Sequence, residues 1–233
     1  MKKILIIFFS SFILKGEWQI VYQENFEQGL PNGWQIIDGN NDGYKWNVGN
    51  PGFYYPPPSY GTKYAYYNDD EAGPSSPPAN EILISPTIFI TNSDSIRFTY
   101  SYGFNTLYFD DILRIKMRKF KNGWQDYFKI DSIYNLGNGI RIVDLSNYLP
   151  FDSIQFMFHY VDNGGQNYGP GIDNLKVEIK TTYVPEKISF KNERFKKEIY
   201  FDISGRKIKE FKKGIYFKKD KNSYLKILIF ILK

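Results

Sequence analysis

The chain contains no cysteine, a single histidine and no long segment with the periodicity of an α-helix. Without cysteine, the protein forms neither disulfides nor thiolate metal sites, and it has no cysteine nucleophile. His159, the one histidine, lies in the middle of a predicted strand, where we expect a structural or surface role. A zinc site needs several His or Cys ligands, and a catalytic triad needs a base beside its nucleophile. These absences exclude a zinc enzyme and predict a protein that is not an enzyme.

The formal net charge of +5 conceals two parts of opposite sign. Residues 19–182 carry 12 Lys and Arg against 18 Asp and Glu, a net charge of −6, whereas residues 183–233 carry 15 against 6, a net charge of +9. Nucleic-acid binding requires a basic patch on the folded domain. Because the larger part is acidic, we expect no nucleic-acid partner. The basic C-terminal part is either a solvated face or a contact surface for a different partner.

The composition favours β-structure, because 19% of the residues are aromatic and turn-forming Asn, Gly and Pro are frequent. Apolar and polar residues alternate in short segments that are separated by turn residues. Strands are predicted at residues 18–22, 34–37, 45–48, 64–67, 81–84, 87–90, 95–102, 112–119, 125–133, 140–144, 153–160 and 172–179. Many half-buried strands without helices predict an all-β fold, an antiparallel two-sheet jelly-roll sandwich over residues 19–182.

The segment Ile112–Lys119 is a clear example of this alternation. Leu113, Ile115 and Met117 occupy one set of alternate positions, and Arg114, Lys116 and Arg118 occupy the other. Successive side chains of a strand point to opposite faces. The pattern therefore predicts an apolar inner face and a basic outer face for this strand.

The two ends of the chain carry different signals. Lys2 and Lys3 precede an apolar run over Ile4–Leu14, which is typical of a signal peptide at residues 1–18 and too short to predict a membrane span. We expect export and no stable membrane span after signal removal; the alternative is an uncleaved anchor. A linker near Val184 precedes a separate small β unit over residues 183–233, with strands predicted at 198–203, 206–211, 214–218 and 224–232.

Oxygen ligands are plentiful in the predicted turns. The segment from Asp38 to Gly43 alternates acids, Asn and Gly like the start of a calcium-binding loop, without the closing glutamate of an EF-hand. In a jelly roll, ligands come from separate loops, and Glu24 near the first strand would meet Asp173 near the last strand if those strands pair. We predict one structural Ca²⁺ held by Glu24, Asp38, Asp42 and Asp173. The alternative is that these are ordinary turn residues.

Two groups of adjacent acids, Asp69–Glu71 and Asp110–Asp111, have the residue type that glycoside hydrolysis uses. Neighbouring residues of a strand point to opposite faces, so neither group is automatically a pair in space. Aromatic residues in the predicted loops are better candidates for function, because their apolar faces suit the C–H faces of sugar rings. These candidate ligand-binding residues are Tyr54, Tyr55, Tyr60, Trp124 and Tyr168. We assign Trp34 and Trp46, which lie in strand-like segments, to the core.

Three stretches of residues 20–180 resemble the cleaved-adhesin family of bacterial surface jelly rolls. The stretches are Glu27–Trp34 with Asp38–Trp46, then Asn80–Pro86, then Gly171–Leu175. Members of this family are modules of haemagglutinins and large secreted proteases such as gingipains, and related domains carry structural calcium. The resemblance implies adhesion, through glycan or protein binding, without catalysis. The family pattern ends in two acids, where this chain has Asp173 and Asn174.

The C-terminal unit resembles the sorting domains of type IX secretion and related small immunoglobulin-like units. The resemblance rests on Tyr200–Lys207, Lys213–Phe217 and the closing apolar strand. It implies contact with the secretion and sorting machinery; the alternative is a plain β-hairpin unit. Together, these observations predict a secreted or cell-surface adhesin-type module that recognises a glycan or a surface protein. The alternatives are an accessory envelope domain without its own ligand and, less favoured, a glycoside hydrolase.

Overall fold

The computed structural model describes residues 16–58, 61–90, 92–106, 111–164 and 167–181, and the C-terminal strands at 200–201, 214–219 and 224–229. The apolar run at residues 4–14 and the strand predicted at residues 206–211 lie outside the described residues. Lys15–Thr182 form one compact unit, and the C-terminal strands belong to another.

The larger unit is built almost entirely of strands. They are β1 (Gln19–Glu24), β2 (Gln35–Asp38), β3 (Asn47–Gly49), β4 (Tyr64–Tyr66), β5 (Asn80–Ile84), β6 (Ile88–Phe89), β7 (Ser95–Asn105), β8 (Ile112–Phe120), β9 (Phe128–Ile133), β10 (Gly137–Asp144), β11 (Ser153–Val161) and β12 (Gly169–Lys180). A four-residue helix, α1 (Asp69–Ala72), and a three-residue 3₁₀ helix (Ser146–Tyr148) complete it. Each predicted strand of the sandwich overlaps one of these strands, so the all-β prediction is confirmed.

The strands form two antiparallel sheets of six strands each. Sheet I has the order β10-β7-β12-β4-β3, with β1 also paired to β12. Sheet II has the order β2-β5-β11-β8-β9, with β6 also paired to β11. The longest strands, β7 and β12 in sheet I and β8 and β11 in sheet II, lie at or near the centre of each sheet. Two sheets with these connections make the jelly-roll sandwich that the alternation predicts.

The core lies between the two sheets and is rich in aromatic rings. Phe98 of sheet I stacks on Phe156 of sheet II, with 3.9 Å between the ring centroids. Trp34 and Trp46 are buried, as predicted. Leu113, Ile115 and Met117 of β8 are fully buried and the basic residues of this strand are only partly covered, which confirms the predicted alternation.

The C-terminal unit contains one antiparallel sheet of three strands. They are β13 (Tyr200–Phe201), β14 (Gly214–Lys219) and β15 (Tyr224–Ile229), in the order β13-β14-β15. These strands overlap three of the four predicted for this part of the chain. Their role in sorting stays a prediction.

Candidate ligand cleft and metal site

A gap along one side of strand β12 creates a cleft in the sandwich. Strand β1 pairs with the second half of β12 up to Leu175, whereas β4 pairs with its first half at Gly171 and Ile172. Both neighbours lie on the same side of β12, and neither pairs with Asp173 or Asn174. The interval between them leaves room for a cleft on the outer face of sheet I.

A bulge in β12 shapes the floor of this cleft. The pairing of β12 with β7 shifts register between Asp173 and Lys176, and Asn174 takes a left-handed backbone conformation with φ 49°. Asn is one of the few residues that adopt this conformation readily. The bulge turns the Asn174 amide so that it donates to the Pro58 carbonyl at 2.9 Å, and its Nδ2 lies 3.4 Å from Ser101 Oγ.

The cleft has a volume of about 850 Å³; half of its lining residues have uncharged polar side chains, and much of its exposed surface is apolar. Among the lining residues are Gln23, Asn25, Gln28, Thr99, Ser101 and Asn174. Glu24 and Lys176 add one negative and one positive charge, and Ile140 and Leu175 add apolar surface. Amide and hydroxyl groups can both donate and accept hydrogen bonds, so this lining suits a ligand with many hydroxyl groups.

One wall of the cleft belongs to the proline-rich loop at residues 50–58, which lies across the outer face of sheet I. A side chain at Gly103 could not coexist with this loop, because its Cβ would stand 2.1 Å from the Tyr55 carbonyl oxygen. Asn138 of β10 donates to the Pro56 carbonyl at 2.8 Å and holds the loop from the other side. Side-chain packing adds to these contacts, because the ring of Phe53 in this loop meets those of Tyr64 and Tyr66 of β4 with 5.9 Å between centroids.

The predicted aromatic residues are not gathered at one site. Tyr54 is 83% exposed on the loop that forms the cleft wall, and its ring meets that of Tyr55 edge-on at 4.7 Å. Trp124 is exposed on the β8–β9 connection and Tyr168 is exposed before β12. Tyr60 lies outside the described residues. None of the other four aromatic residues lines the cleft. The polar residues that do line it were not predicted from the sequence, because single Gln, Asn, Ser and Thr residues form no distinctive pattern.

A cluster of three carboxylates lies at one end of sheet II. Asp38, Asp42 and Glu81 each place one oxygen within 4.8 Å of the others. The loop after β2 holds the two aspartates, because Asp38 accepts from Gly43 N at 2.9 Å and Asp42 accepts from Tyr44 N at 2.8 Å. Such aspartate-to-backbone bonds are the usual stabilisation of turns of this composition.

Glu81 is the buried member of this cluster. It is fully buried on β5, beside Asp38 in the pairing with β2 and beside Tyr160 in the pairing with β11. Neither of its carboxylate oxygens has a hydrogen-bond partner among the described residues, although two backbone N–H groups lie nearby. Burial, and then the charge of Asp38, raise the pKa of Glu81 to about 7. A buried carboxylate in this state needs either a proton or a cation.

The predicted calcium ligands are thus divided between the two sheets. Asp38 and Asp42 lie together, whereas Glu24 and Asp173 belong to β1 and β12 of sheet I and are not part of the cluster. Glu24 instead accepts from the backbone N–H groups of Asn25 and Phe26. Asp173 is fully buried beside the bulge. The pairing of β1 with β12 is as expected, but it does not bring these two residues to Asp38.

Sequence reasoning missed Glu81, although a signal for it exists. In the segment Asn80–Ile84 the apolar Leu83 faces the core, and Glu81 lies on the same side of the strand. An acid at an inward position of a predicted strand is unfavourable without a partner. That position points to a ligand even before the structure is known.

A second pair of acids lies buried near the same end of the sandwich. Asp162 is held by the N–H groups of Ala79 and Gly164, and Asp69 by that of Asn167. Burial, and then the charge of Asp162, raise the pKa of Asp69 to about 7. The protonated form of Asp69 can donate to Asp162, so this pair is stable with a single shared proton. These residues lie far from the cleft lining and do not contribute to it.

His159 has the structural role that the sequence predicts. Its Nδ1 lies 2.9 Å from Lys116 Nζ, which can only donate, so Nδ1 is the acceptor and Nε2 carries the proton toward Asn80 Oδ1 at 2.7 Å. Burial, and then Lys116 and Arg114, lower the pKa of His159 to about 4. The imidazole is neutral at pH 7 and faces no nucleophile in these contacts. In the described part of the chain, no helix is long and apolar enough to cross a membrane.

The chain is similar to two solved domains. The K1 Cleaved Adhesin domain of Lys-gingipain from Porphyromonas gingivalis W83 is 20% identical, with a TM-score of 0.46 over 72% of this chain and 100% of that one. The CBM22-1 xylan-binding domain of Paenibacillus barcinonensis Xyn10C is 12% identical, with a TM-score of 0.46 over 72% of this chain and 98% of that one. No curated protein matches the chain. Residues 19–130, which include strands β1 to β8 and both aspartates of the acidic cluster, match the family model of the Cleaved Adhesin Domain.

Proposed function

We propose that this protein is an exported, non-catalytic binding module of the adhesin type, which recognises a hydroxyl-rich ligand in the cleft of sheet I. The observation that carries the proposal is the cleft of about 850 Å³ with its lining of amide and hydroxyl side chains. A glycan fits this chemistry better than an apolar ligand, because every sugar hydroxyl needs a donor or an acceptor when it leaves water. The match to the Cleaved Adhesin Domain supports an adhesin role.

The loop beside the cleft extends the proposed binding surface. Tyr54 stands at its exposed tip, and Pro58 of the same loop lines the cleft. A sugar chain that leaves the cleft in this direction would meet an aromatic ring, on which its C–H face can stack. Trp124 and Tyr168 belong to other parts of the surface and have no role in this site. A protein ligand would use the same cleft through a polar loop of its own.

The test is a glycan-array screen of the full chain, followed by titration of the selected glycan. Thr99→Val and Gln23→Leu each remove hydrogen-bonding atoms while they keep the size of the side chain. Each is expected to weaken binding about threefold to tenfold, the effect of one or two hydrogen bonds. Gln35→Leu, on the exposed face of sheet II, is the matched control and is expected to leave binding unchanged. If no glycan or protein ligand binds, the domain is an accessory module without a ligand.

A calcium ion is the second part of the proposal. Asp38, Asp42 and Glu81 supply three carboxylates at mutual distances that one ion can bridge, and Ca²⁺ prefers ligands of this type. The buried oxygens of Glu81, which lack hydrogen-bond partners among the described residues, support an ion better than ordinary turn residues do. The ion would fix the loop after β2 to strand β5 and so stabilise the sandwich; it has no part in catalysis.

Export and attachment complete the proposal. The apolar run at Ile4–Leu14 after two lysines supports export, and the Cleaved Adhesin Domain match supports a location on the outer cell surface. The basic C-terminal unit, residues 183–233, would contact the secretion and sorting machinery. Its net charge of +9 against −6 for residues 19–182 supports a different partner for each part.

A further inference from the structure

The outer face of sheet II concentrates positive charge on a unit that is acidic as a whole. Arg114, Lys116 and Arg118 occupy the alternate outward positions of β8. Lys129 of β9 lies directly opposite Lys116 in the pairing of the two strands. Like charges at directly opposite positions of a sheet destabilise it. Arg114, Lys116, Arg118 and Lys129 together form a basic row.

No acid compensates the basic row. The acidic residues in the strands of sheet II are Asp38, Glu81 and Asp131. All three face the other way: Asp38 and Glu81 form the acidic cluster, and Asp131 accepts a hydrogen bond from Tyr100 of the core at 2.8 Å. Within the described ranges, no member of the basic row has a carboxylate within ion-pair distance. Neutral groups partly hold two of these cations: Arg118 donates to Gln155 and packs on Trp124, and Lys116 donates to His159. No anion among the described residues neutralises their charge.

The titration of neighbouring groups agrees with this geometry. Burial, and then the charge of Arg114, lower the pKa of Lys116. Lys116 and Arg114 also contribute to the low pKa of His159, which lies on β11 directly opposite Arg114. Both shifts are those of groups in a positive electrostatic potential. An anion bound to this face would reverse both effects.

The spacing of the row indicates an extended ligand. Alternate residues of a strand lie about 6.6–6.8 Å apart, so three cations span about 13 Å along a nearly straight line. The cations lie on the outer face of a sheet, and the cleft described above is lined by residues of sheet I and its loops. A row of cations is suited to a polymer that repeats its negative charge at similar intervals.

Exposed aromatic rings at the end of the row favour a sugar polymer over an acidic peptide. Phe89 of β6 is 74% exposed and pairs with Ser153, which also pairs with Phe120 of β8. Trp124 is 39% exposed, and the Arg118 guanidinium carbon lies 4.5 Å from the centroid of its ring. Rings that lie beside cations can stack on the C–H face of a sugar whose carboxylate pairs with the cation.

We propose that the outer face of sheet II binds an acidic polysaccharide of the uronate type, whose carboxylates pair with Arg114, Lys116 and Arg118 and whose sugar rings stack near Trp124. This site is separate from the cleft of sheet I and does not depend on it. It gives the module two opposite faces for two kinds of glycan, one neutral and one acidic.

The test compares polygalacturonate with its fully methyl-esterified form, which has the same backbone without the charge. The full chain is expected to bind polygalacturonate, with affinity that falls as salt rises, and not to bind the ester. Arg114→Gln is expected to weaken binding about threefold to tenfold, the effect of one charge-assisted hydrogen bond. Lys180→Gln removes a cation from the outer face of sheet I and is the matched control, expected to change binding less than twofold. Lys116→Arg keeps the charge and is expected to retain binding.

The outcomes separate this proposal from its alternatives. Equal binding of both polymers, or equal effects of Arg114→Gln and Lys180→Gln, would overturn it. If polyglutamate binds as tightly as polygalacturonate, the face recognises negative charge alone and has no preference for a sugar chain, which would also overturn the proposal. Thr99→Val, in the cleft, is expected to leave polygalacturonate binding intact, so that failure of the cleft proposal is distinguishable from failure of this one. Circular dichroism of each variant checks that the fold is unchanged.

Discussion

At the scale of single residues, the buried acids are the most informative feature of this protein. Glu81, Asp69 and Asp162 are all at least nine-tenths buried, in a sandwich whose other inward positions are mostly apolar. A buried carboxylate is unfavourable unless something binds to it. The buried acids are stabilised in two different ways. Glu81 lies in a cluster that fits a cation, and Asp69 faces Asp162, with which it can share a proton.

The substitution Glu81→Gln tests the cation. Millimolar calcium is expected to raise the melting temperature of the natural protein, because an ion that binds only the native state stabilises it by about 2.7 kcal/mol at a hundredfold excess over Kd. The variant is expected to lose most of this gain and, in chelator at pH 8, to melt no lower than the natural protein. Glu71→Gln, at an exposed acid of helix α1, is the control. A calcium-induced shift of equal size in all three proteins would contradict the site.

The substitution Asp69→Asn tests the shared proton through the pH dependence of stability. The carboxyl binds its proton more tightly in the native state, with a pKa of about 7, than in the unfolded chain, where the pKa is about 4. Its contribution is therefore fully present at low pH and is lost as pH rises through about 7. Between pH 6 and pH 8 the variant is expected to lose about 1 kcal/mol less free energy of unfolding than the natural protein. Urea unfolding in chelator measures this, and parallel pH profiles would refute it.

At the scale of secondary-structure elements, the proline-rich loop determines the shape of the cleft. Its Phe53 packs on Tyr64 and Tyr66 of β4, and strands β7 and β10 hold its backbone. Gly103 leaves the space and Asn138 supplies the hydrogen bond. The bulge at Asn174 then holds the end of the same loop at Pro58.

The substitution Gly103→Ala tests this arrangement. The added methyl group would overlap the Tyr55 carbonyl, so the loop must move, and we expect a loss of about 1–3 kcal/mol in stability together with weaker binding in the cleft. Gly49→Ala is the matched control, because a Cβ there would meet its nearest atom at an ordinary 3.5 Å. Urea unfolding and ligand titration measure both variants. Equal stability of the two would show that the loop does not depend on Gly103.

At the scale of the whole molecule, the charge is distributed in a pattern that suits several partners. The sandwich is acidic overall, yet one of its faces is basic, and the C-terminal part is strongly basic. Net charges of opposite sign on the two parts of the chain favour a different partner for each part. The proposed cleft, basic row and C-terminal unit are therefore separable by mutation.

Deletion of residues 183–233 tests the role of the C-terminal unit. The shortened chain is expected to keep the cooperative unfolding and the calcium response of the sandwich, because the sandwich forms its own compact unit over Lys15–Thr182. In cells, however, it is expected to remain behind the outer surface, if the C-terminal unit contacts the sorting machinery as we propose. Cell fractionation of both forms measures this. Equal amounts of both forms at the surface would mean that the unit has no sorting role.

The sequence by itself determined the strands of the sandwich, its two-sheet architecture and the basic outer face of β8. Apolar and polar residues of a half-buried strand alternate with a period of two, and this pattern depends only on neighbouring residues. Once a strand is recognised, the face on which each side chain lies therefore follows. Trp34 and Trp46 were predictable as core residues for the same reason.

Only the tertiary structure decided which of these residues meet. Glu81 joins Asp38 because β5 pairs with β2, and Glu24 does not join them because β1 pairs with β12 in the other sheet. The cleft exists because β1 and β4 share one side of β12 and leave Asn174 between them. Pairing between strands that are distant in the chain depends on the packing of the whole core. No local pattern of residues specifies it. Asp38 and Asp42 were predictable as a candidate pair from their own loop, but their meeting with Glu81, and the cleft, depend on strand pairing that the sequence does not show.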